Sequence, residues 1–119
     1  MSRLQTHHVK LRLSARAKNW PLASFYVHEM QETTETIRQA GITEDGHPVS
    51  ELIGRFIGGH LRVLGESVAA EDAEAFETHH ANLITACNGC HGATDHKFIV
   101  IQDLDRNPFP NQSFAPPSP

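Results

Sequence analysis

The chain has 119 residues, of which 39% are hydrophobic and 20% are charged. Its length fits one domain, and its composition excludes a wholly disordered chain. The net charge of −4 at pH 7 argues against a nucleic-acid-binding module, and no apolar run is long enough to predict a transmembrane span.

The first part of the chain predicts two helices joined by a short turn. Spacings of three and four relate Leu4, His7 or His8, Leu11 and Ala15, so a first helix is expected over residues 2–18. Asn19 is a good N-cap and Pro21 suits a first helical turn, so a second helix is expected from there to about residue 39. The short connection predicts an antiparallel pair.

Two further helices are predicted in the second part of the chain. An apolar stripe favours a third helix over residues 49–69, in which Gly58 and Gly59 allow close packing or mark a kink. A fourth helix is expected from about Glu71 to His91. The residues in phase on its inward face are Phe76, His80, Leu83 and Cys87.

These elements predict an all-α protein, with residues 1–96 forming an up-down-up-down four-helix bundle. Residues 97–119 are expected to form a short extended segment and an irregular tail packed on the bundle. Residues 98–101 are β-prone, and five of the seven prolines lie between Asn107 and Pro119.

One motif carries specific chemistry: both cysteines of the chain lie in Cys87-Asn88-Gly89-Cys90-His91. C-x-x-C-H is the attachment signature of c-type haem. Cysteines three apart share a helical face, so both sulfurs can form thioethers to one porphyrin, and His91 can supply an imidazole to the iron. We therefore expect one covalent haem c bound by Cys87 and Cys90, with His91 as the proximal iron ligand.

Other interpretations of the motif remain open. A zinc site needs about four ligands, which His80 or His96 could complete. A thioredoxin-like redox pair needs a βαβ setting, which the predicted elements do not provide. The two cysteines could also be inert core residues.

The motif near the end of the last helix of a bundle resembles that of the cytochromes c prime. The chain is also similar to a group of small bacterial cytochrome-like proteins over Lys10-Leu11 and residues 17–23, 86–91, 98–100 and 108–114. The resemblance implies a covalent haem and an exported, periplasmic protein. It departs from the cytochromes c prime at Asn88-Gly89, where they typically carry a basic residue.

The second axial position of the iron has several candidates. In the predicted topology the first helix starts at the end where the fourth finishes, which brings His7 and His8 towards the haem. His7 is in phase with the inward residues Leu4 and Leu11, so it is the predicted distal ligand, with His8 as the alternative. Met30 is a further candidate, although methionine is more often core filler.

The predicted function is that of a monohaem c-type cytochrome that carries single electrons to and from an unidentified redox partner. The alternative is a gas-binding haem protein with Leu4 or Leu11 over the iron, and a second alternative is a non-haem zinc or structural module. No constellation typical of an enzyme stands out. No signal peptide is found in residues 1–18, so export would mean that these residues follow a removed leader. Homodimerisation is a further expectation.

Overall fold

A computed structural model describes residues 1–118, and Pro119, the last residue of the predicted tail, lies outside the described part. The helices in chain order are Ser2–Arg16 (α1), Trp20–Gln39 (α2), Val49–Ile53 (α3), the π-helical turn Gly54–Gly58, Gly59–Ala69 (α4) and Ala73–Ala93 (α5). Because α3, the π-helical turn and α4 are continuous, residues 1–118 contain four helical segments. The predicted all-α class is confirmed, and the arrangement is compatible with a helical bundle.

The turn between α1 and α2 follows the local sequence signals. The side chain of Asn19 accepts a hydrogen bond from the Leu22 amide at 3.4 Å, and Pro21 occupies the first turn of α2. The residue before the cap, Lys18, has a left-handed φ of 56° that reverses the chain. The predicted start of α2 is therefore confirmed, because a cap that accepts an orphan backbone amide defines a helix end.

The third helical segment is interrupted where the sequence predicted close packing or a kink at Gly58 and Gly59. The π-helical turn runs over Gly54–Gly58, so one extra residue is accommodated within the segment. The turn carries Phe56, whose ring packs on α5. A methyl group at Gly89 would lie 3.4 Å from Cε1 of Phe56. The segment therefore contacts the C-x-x-C-H motif at a glycine.

Side chains from all four helical segments form one apolar core. The largest fully buried apolar residues are Leu11, Ile53, Leu61, Leu64, Phe76 and Leu83. Helix α1 runs antiparallel to α5, because Arg12 reaches Glu77 while His8, one turn earlier, stacks on His80. These contacts set the register of α1 along α5.

Residues 94–118 contain no helix or strand and lie along the helices. Phe114 is buried in the core, and its carbonyl accepts a hydrogen bond from Asn19 Nδ2 at 3.3 Å. Gln112 Nε2 donates to the hydroxyl of Tyr26 at 2.7 Å. Among residues 1–118, no helix combines the length and the hydrophobicity that a membrane span requires.

Candidate functional site

The C-x-x-C-H motif lies in the last two turns of α5. Cys90 is buried, with 8% of its surface exposed, while Cys87 and His91 are half-buried. Because residues three apart on a helix lie on one face, both sulfurs belong to the same side of α5. Both cysteines lie within the observed bounds of α5, so the two thiols are on one helical face, as the sequence predicts.

Neither thiol is activated in the chain. Burial, and secondarily the nearby Cys90, raises the pKa of Cys87 to about 11, and burial also raises the pKa of Cys90. Reactive and metal-binding cysteines instead have a lowered pKa, because the thiolate is the nucleophile and the ligand. The environment therefore does not favour a thiol–disulfide catalyst.

The zinc alternative would need further ligands beside the two thiols. Within residues 1–118, no group of three or more His, Cys, Asp or Glu side chains is arranged to hold a metal ion. His80 lies eleven residues before His91 on the same helix, which is about 16 Å of helical rise. His96, the other candidate, has its Nδ1 3.3 Å from the hydroxyl of Thr94.

The imidazole of His91 is oriented by the segment that follows α5. Its Nδ1 lies 2.8 Å from the carbonyl oxygen of Ile99. Since a carbonyl only accepts hydrogen bonds, Nδ1 carries a proton, and in the neutral ring Nε2 is the nitrogen with the free lone pair. This arrangement is typical of metal-binding histidines, which usually donate their other ring N–H to a carbonyl or carboxylate.

We call residues 96–101 the strap. The His96 amide donates to the His91 carbonyl oxygen at 2.7 Å, so the strap turns back along α5 immediately after the helix. The side chains of Phe98 and Val100 are 76% and 68% exposed, and Ile99 between them is also exposed. The β-prone run predicted here is therefore an uncovered apolar segment beside His91, and none of its described residues is part of a strand.

The predicted distal ligands are placed elsewhere. His7 is half-buried, and its ring centroid lies 5.7 Å from that of Tyr26 on α2. His8 is the more buried of the two, and its ring stacks on His80 with centroids 4.8 Å apart and planes 2° from parallel. Because His80 is about 16 Å along α5 from His91, the fold does not bring His7 or His8 to His91.

The shortness of α1 explains this placement. His8 is level with His80, and α1 runs antiparallel to α5, so Leu4 is about level with Ile84, one turn further along α5. The start of α1 therefore reaches only about the level of Cys87, the first residue of the motif, which is about 6 Å of helical rise short of His91. Met30, the other candidate ligand, is buried in the core on α2.

The residues at the end of α5 fit a covalently attached haem. The donor set comprises two thiols on one helical face and an imidazole whose Nε2 is free because its Nδ1 is already bonded. The apolar side chains Phe98 and Val100 of the strap are exposed near the Nδ1 side of the same imidazole. Haem c uses this donor chemistry, through two thioethers and one imidazole.

A polar cluster that the sequence did not indicate lies three turns away on α5. Arg12 is buried, and its Nη1 lies 2.6 Å from Glu77, while its Nε lies 2.9 Å from Asp103 of the tail. His8 and His80 stack beside it, and each has an Nε2 without a hydrogen-bond partner. Burial, with His8 and Arg12 nearby, lowers the pKa of His80 to about 4. The residues of this cluster are far apart in the sequence, so no local sequence pattern predicts that they meet.

Comparison with known proteins adds no assignment: no protein-family model, curated protein or solved structure matches the chain. The similarity to the cytochromes c prime therefore stays an expectation from the sequence.

Proposed function

We propose that the chain is a monohaem c-type cytochrome that carries single electrons, built as an up-down-up-down four-helix bundle. The observation that carries this proposal is the set formed by Cys87, Cys90 and His91 at the end of α5, in which the Ile99 carbonyl leaves His91 Nε2 free. The two thiols would form the thioethers and His91 the proximal iron bond. The haem would supply a centre that gains and loses one electron.

In this proposal the cysteines, His91 and the Ile99 carbonyl have different roles. Cys90 is buried and Cys87 half-buried, so they would anchor the porphyrin edge against the helix. The carbonyl of Ile99 holds the proton of His91 at Nδ1 and so sets the direction of its free nitrogen. The half-buried position of His91, beside the exposed strap, supports electron exchange at the protein surface.

A gas-binding haem protein is the second candidate, and the position of α1 favours it. Leu4 on α1, and Met1 just before the helix, lie nearest to the level of the motif, whereas His7 contacts Tyr26 and His8 contacts His80. An apolar residue over the iron would leave the sixth position open to small diatomic ligands. Distal ligation by His7 would require α1 to slide along α5 by about three turns. With two histidine ligands the iron would be low-spin, and with an open sixth position it would be high-spin.

The first experiment is the mass of the denatured chain. The protein is produced in a host with working cytochrome c maturation, then extracted with acid. A mass increase of one haem is expected, and its loss in the double variant Cys87→Ala/Cys90→Ala would locate the attachment. A bare polypeptide from that host contradicts the proposal.

The second experiment separates electron carrier from gas binder. A low-spin ferric spectrum without carbon monoxide binding would favour two protein ligands and electron transfer. High-spin iron that binds carbon monoxide in the ferrous state would favour the second candidate. If the protein is an electron carrier with His7 as distal ligand, His7→Ala should convert the low-spin spectrum into a high-spin one that responds to carbon monoxide. His8→Ala is the comparison variant.

The cellular setting is part of the same proposal. Attachment of this kind of haem takes place outside the bacterial cytoplasm, so we propose a periplasmic or exported protein. Its partner would be a redox protein that docks near the motif, and the first two helices would support a homodimer. Fractionation of the native host and the sedimentation mass of the purified protein test these points.

A further inference from the structure

Asn88 occupies the first variable position of the C-x-x-C-H motif, and its side chain binds the backbone of Ile101. Asn88 Nδ2 donates to the carbonyl oxygen of Ile101 at 3.0 Å, and Asn88 Oδ1 accepts from the Ile101 amide at 2.8 Å. The carboxamide thus satisfies both backbone groups of one residue, as a neighbouring β-strand would. Haem attachment itself places no such demand on this position.

These two bonds fix the far end of the strap on α5. The near end is fixed by the His96 amide, which donates to the His91 carbonyl. Ile99 lies between the two anchors, and its carbonyl accepts the bond from His91 Nδ1. Within this stretch the Ile99 amide donates to the His96 carbonyl at 2.9 Å, and the side chains of Phe98 and Val100 are mostly exposed. The far end of the strap therefore depends on the two Asn88 bonds.

We propose that Asn88 is a positioning residue for His91. By holding Ile101, it keeps the Ile99 carbonyl against Nδ1, which fixes the proton on that nitrogen and leaves Nε2 available to the iron. The inference deepens the proposed haem function and takes its redox consequence from it. The hydrogen bond itself belongs to the chain and can be measured without haem.

The chemical consequence concerns the electron density on the imidazole. A carbonyl that accepts the Nδ1 proton makes the ring a stronger donor through Nε2, which favours the ferric state. Without the two Asn88 bonds, Nδ1 of His91 would hydrogen-bond to water instead of to Ile99. The midpoint potential of the haem would then become more positive. Asn88→Asp keeps an acceptor for the Ile101 amide but loses the donor, so its effect should lie between those of wild type and Asn88→Ala.

The first measurement uses the full-length chain made without haem and labelled with nitrogen-15. Under alkaline conditions, nitrogen shifts should show the Nδ1–H tautomer of His91 in the wild type. In Asn88→Ala the Nε2–H tautomer should become the major form, and hydrogen-exchange protection of the Ile101 amide should fall about tenfold or more.

Asn107→Ala is the matched control. The side chain of Asn107 also binds backbone groups of the tail, accepting from the Phe109 amide at 2.7 Å and donating to the Gln112 carbonyl at 2.8 Å. Asn107 is far along the chain from His91. It should leave the His91 tautomer unchanged. An unchanged tautomer in both Asn88→Ala and Asn88→Asp, or an equal change in Asn107→Ala, overturns the proposal.

The second measurement uses the haem-loaded protein. A more positive midpoint potential in Asn88→Ala, with the haem still attached, is expected, and a potential equal to that of the wild type refutes the redox role. If no haem attaches to the wild type while the tautomer still depends on Asn88, the proposed function fails and the positioning of His91 stands. The two failures are therefore distinguishable.

Discussion

Acidification from about pH 7 to about pH 5 should destabilise this protein through His80. The side chain is 2% exposed, and its ring is packed between those of His8 and Phe76. Burial, the neighbouring His8 and Arg12 lower its pKa from 6.5 to about 4, against the opposing effect of Asp103 and Glu77. The folded chain therefore keeps this imidazole neutral where the unfolded chain protonates it.

The size of the effect follows from proton linkage. Because the unfolded state binds more protons between about pH 6.5 and pH 4, the free energy of unfolding falls as the pH falls through this window. With these two pKa values, His80 alone removes about 2 kcal/mol between pH 7 and pH 5. The pKa of His8 is also lowered by burial, so its contribution has the same sign.

Urea denaturation at the two pH values measures this loss. His80→Phe replaces the imidazole with an aromatic ring that cannot titrate, so the variant should lose about 2 kcal/mol less than the wild type on acidification. Thr78→Ala, an exposed substitution on α5 that removes no titratable group, is the control and should lose as much as the wild type. Equal losses in the wild type and His80→Phe would refute the neutral burial of His80 between α1 and α5.

Three further substitutions test single features by urea denaturation. Arg12→Met keeps the buried stem but removes the guanidinium from Glu77 and Asp103, and Asp103 keeps only a longer contact to Arg16 at 3.6 Å. We expect a loss of about 2 kcal/mol in the free energy of unfolding, since both carboxylates are half-exposed and can rehydrate. A loss below about 0.5 kcal/mol would show the network to be unimportant. Thr34→Val removes a buried hydroxyl without a hydrogen-bond partner and should stabilise by about 1 kcal/mol, whereas destabilisation would mean that the hydroxyl is bonded. Lys18→Gly relieves a left-handed backbone and should stabilise by about 0.5–1 kcal/mol, which an unchanged midpoint would contradict.

The helical segments could be predicted because their ends depend on neighbouring residues. Asn19 caps α2 with its own side chain, and Asp72 does the same for α5 by accepting from the Ala75 amide at 3.0 Å. Such signals act over three residues and need no tertiary partner. The π-helical turn could be predicted only as a kink or close packing at Gly58 and Gly59, because its bounds depend on what the segment packs against.

The motif is likewise a local feature, since Cys87, Cys90 and His91 share their helix whatever surrounds it. The prediction that His7 is directed to the iron relied on the phase of α1, and phase is ambiguous when a helix packs against two others. In the structure His7 contacts α2 while His8 contacts α5. One residue step, about 100° around the helix, decides between these faces.

The partners that orient the site were decided by tertiary structure alone. His91 bonds to Ile99, and Asn88 bonds to Ile101, only because the strap turns back along α5. Backbone carbonyls and amides are the same at nearly every position. No side-chain pattern therefore predicts which of them a histidine or an asparagine will hydrogen-bond to. The sequence alone determined the donor atoms, and the path of the chain after the helix determined how His91 is held.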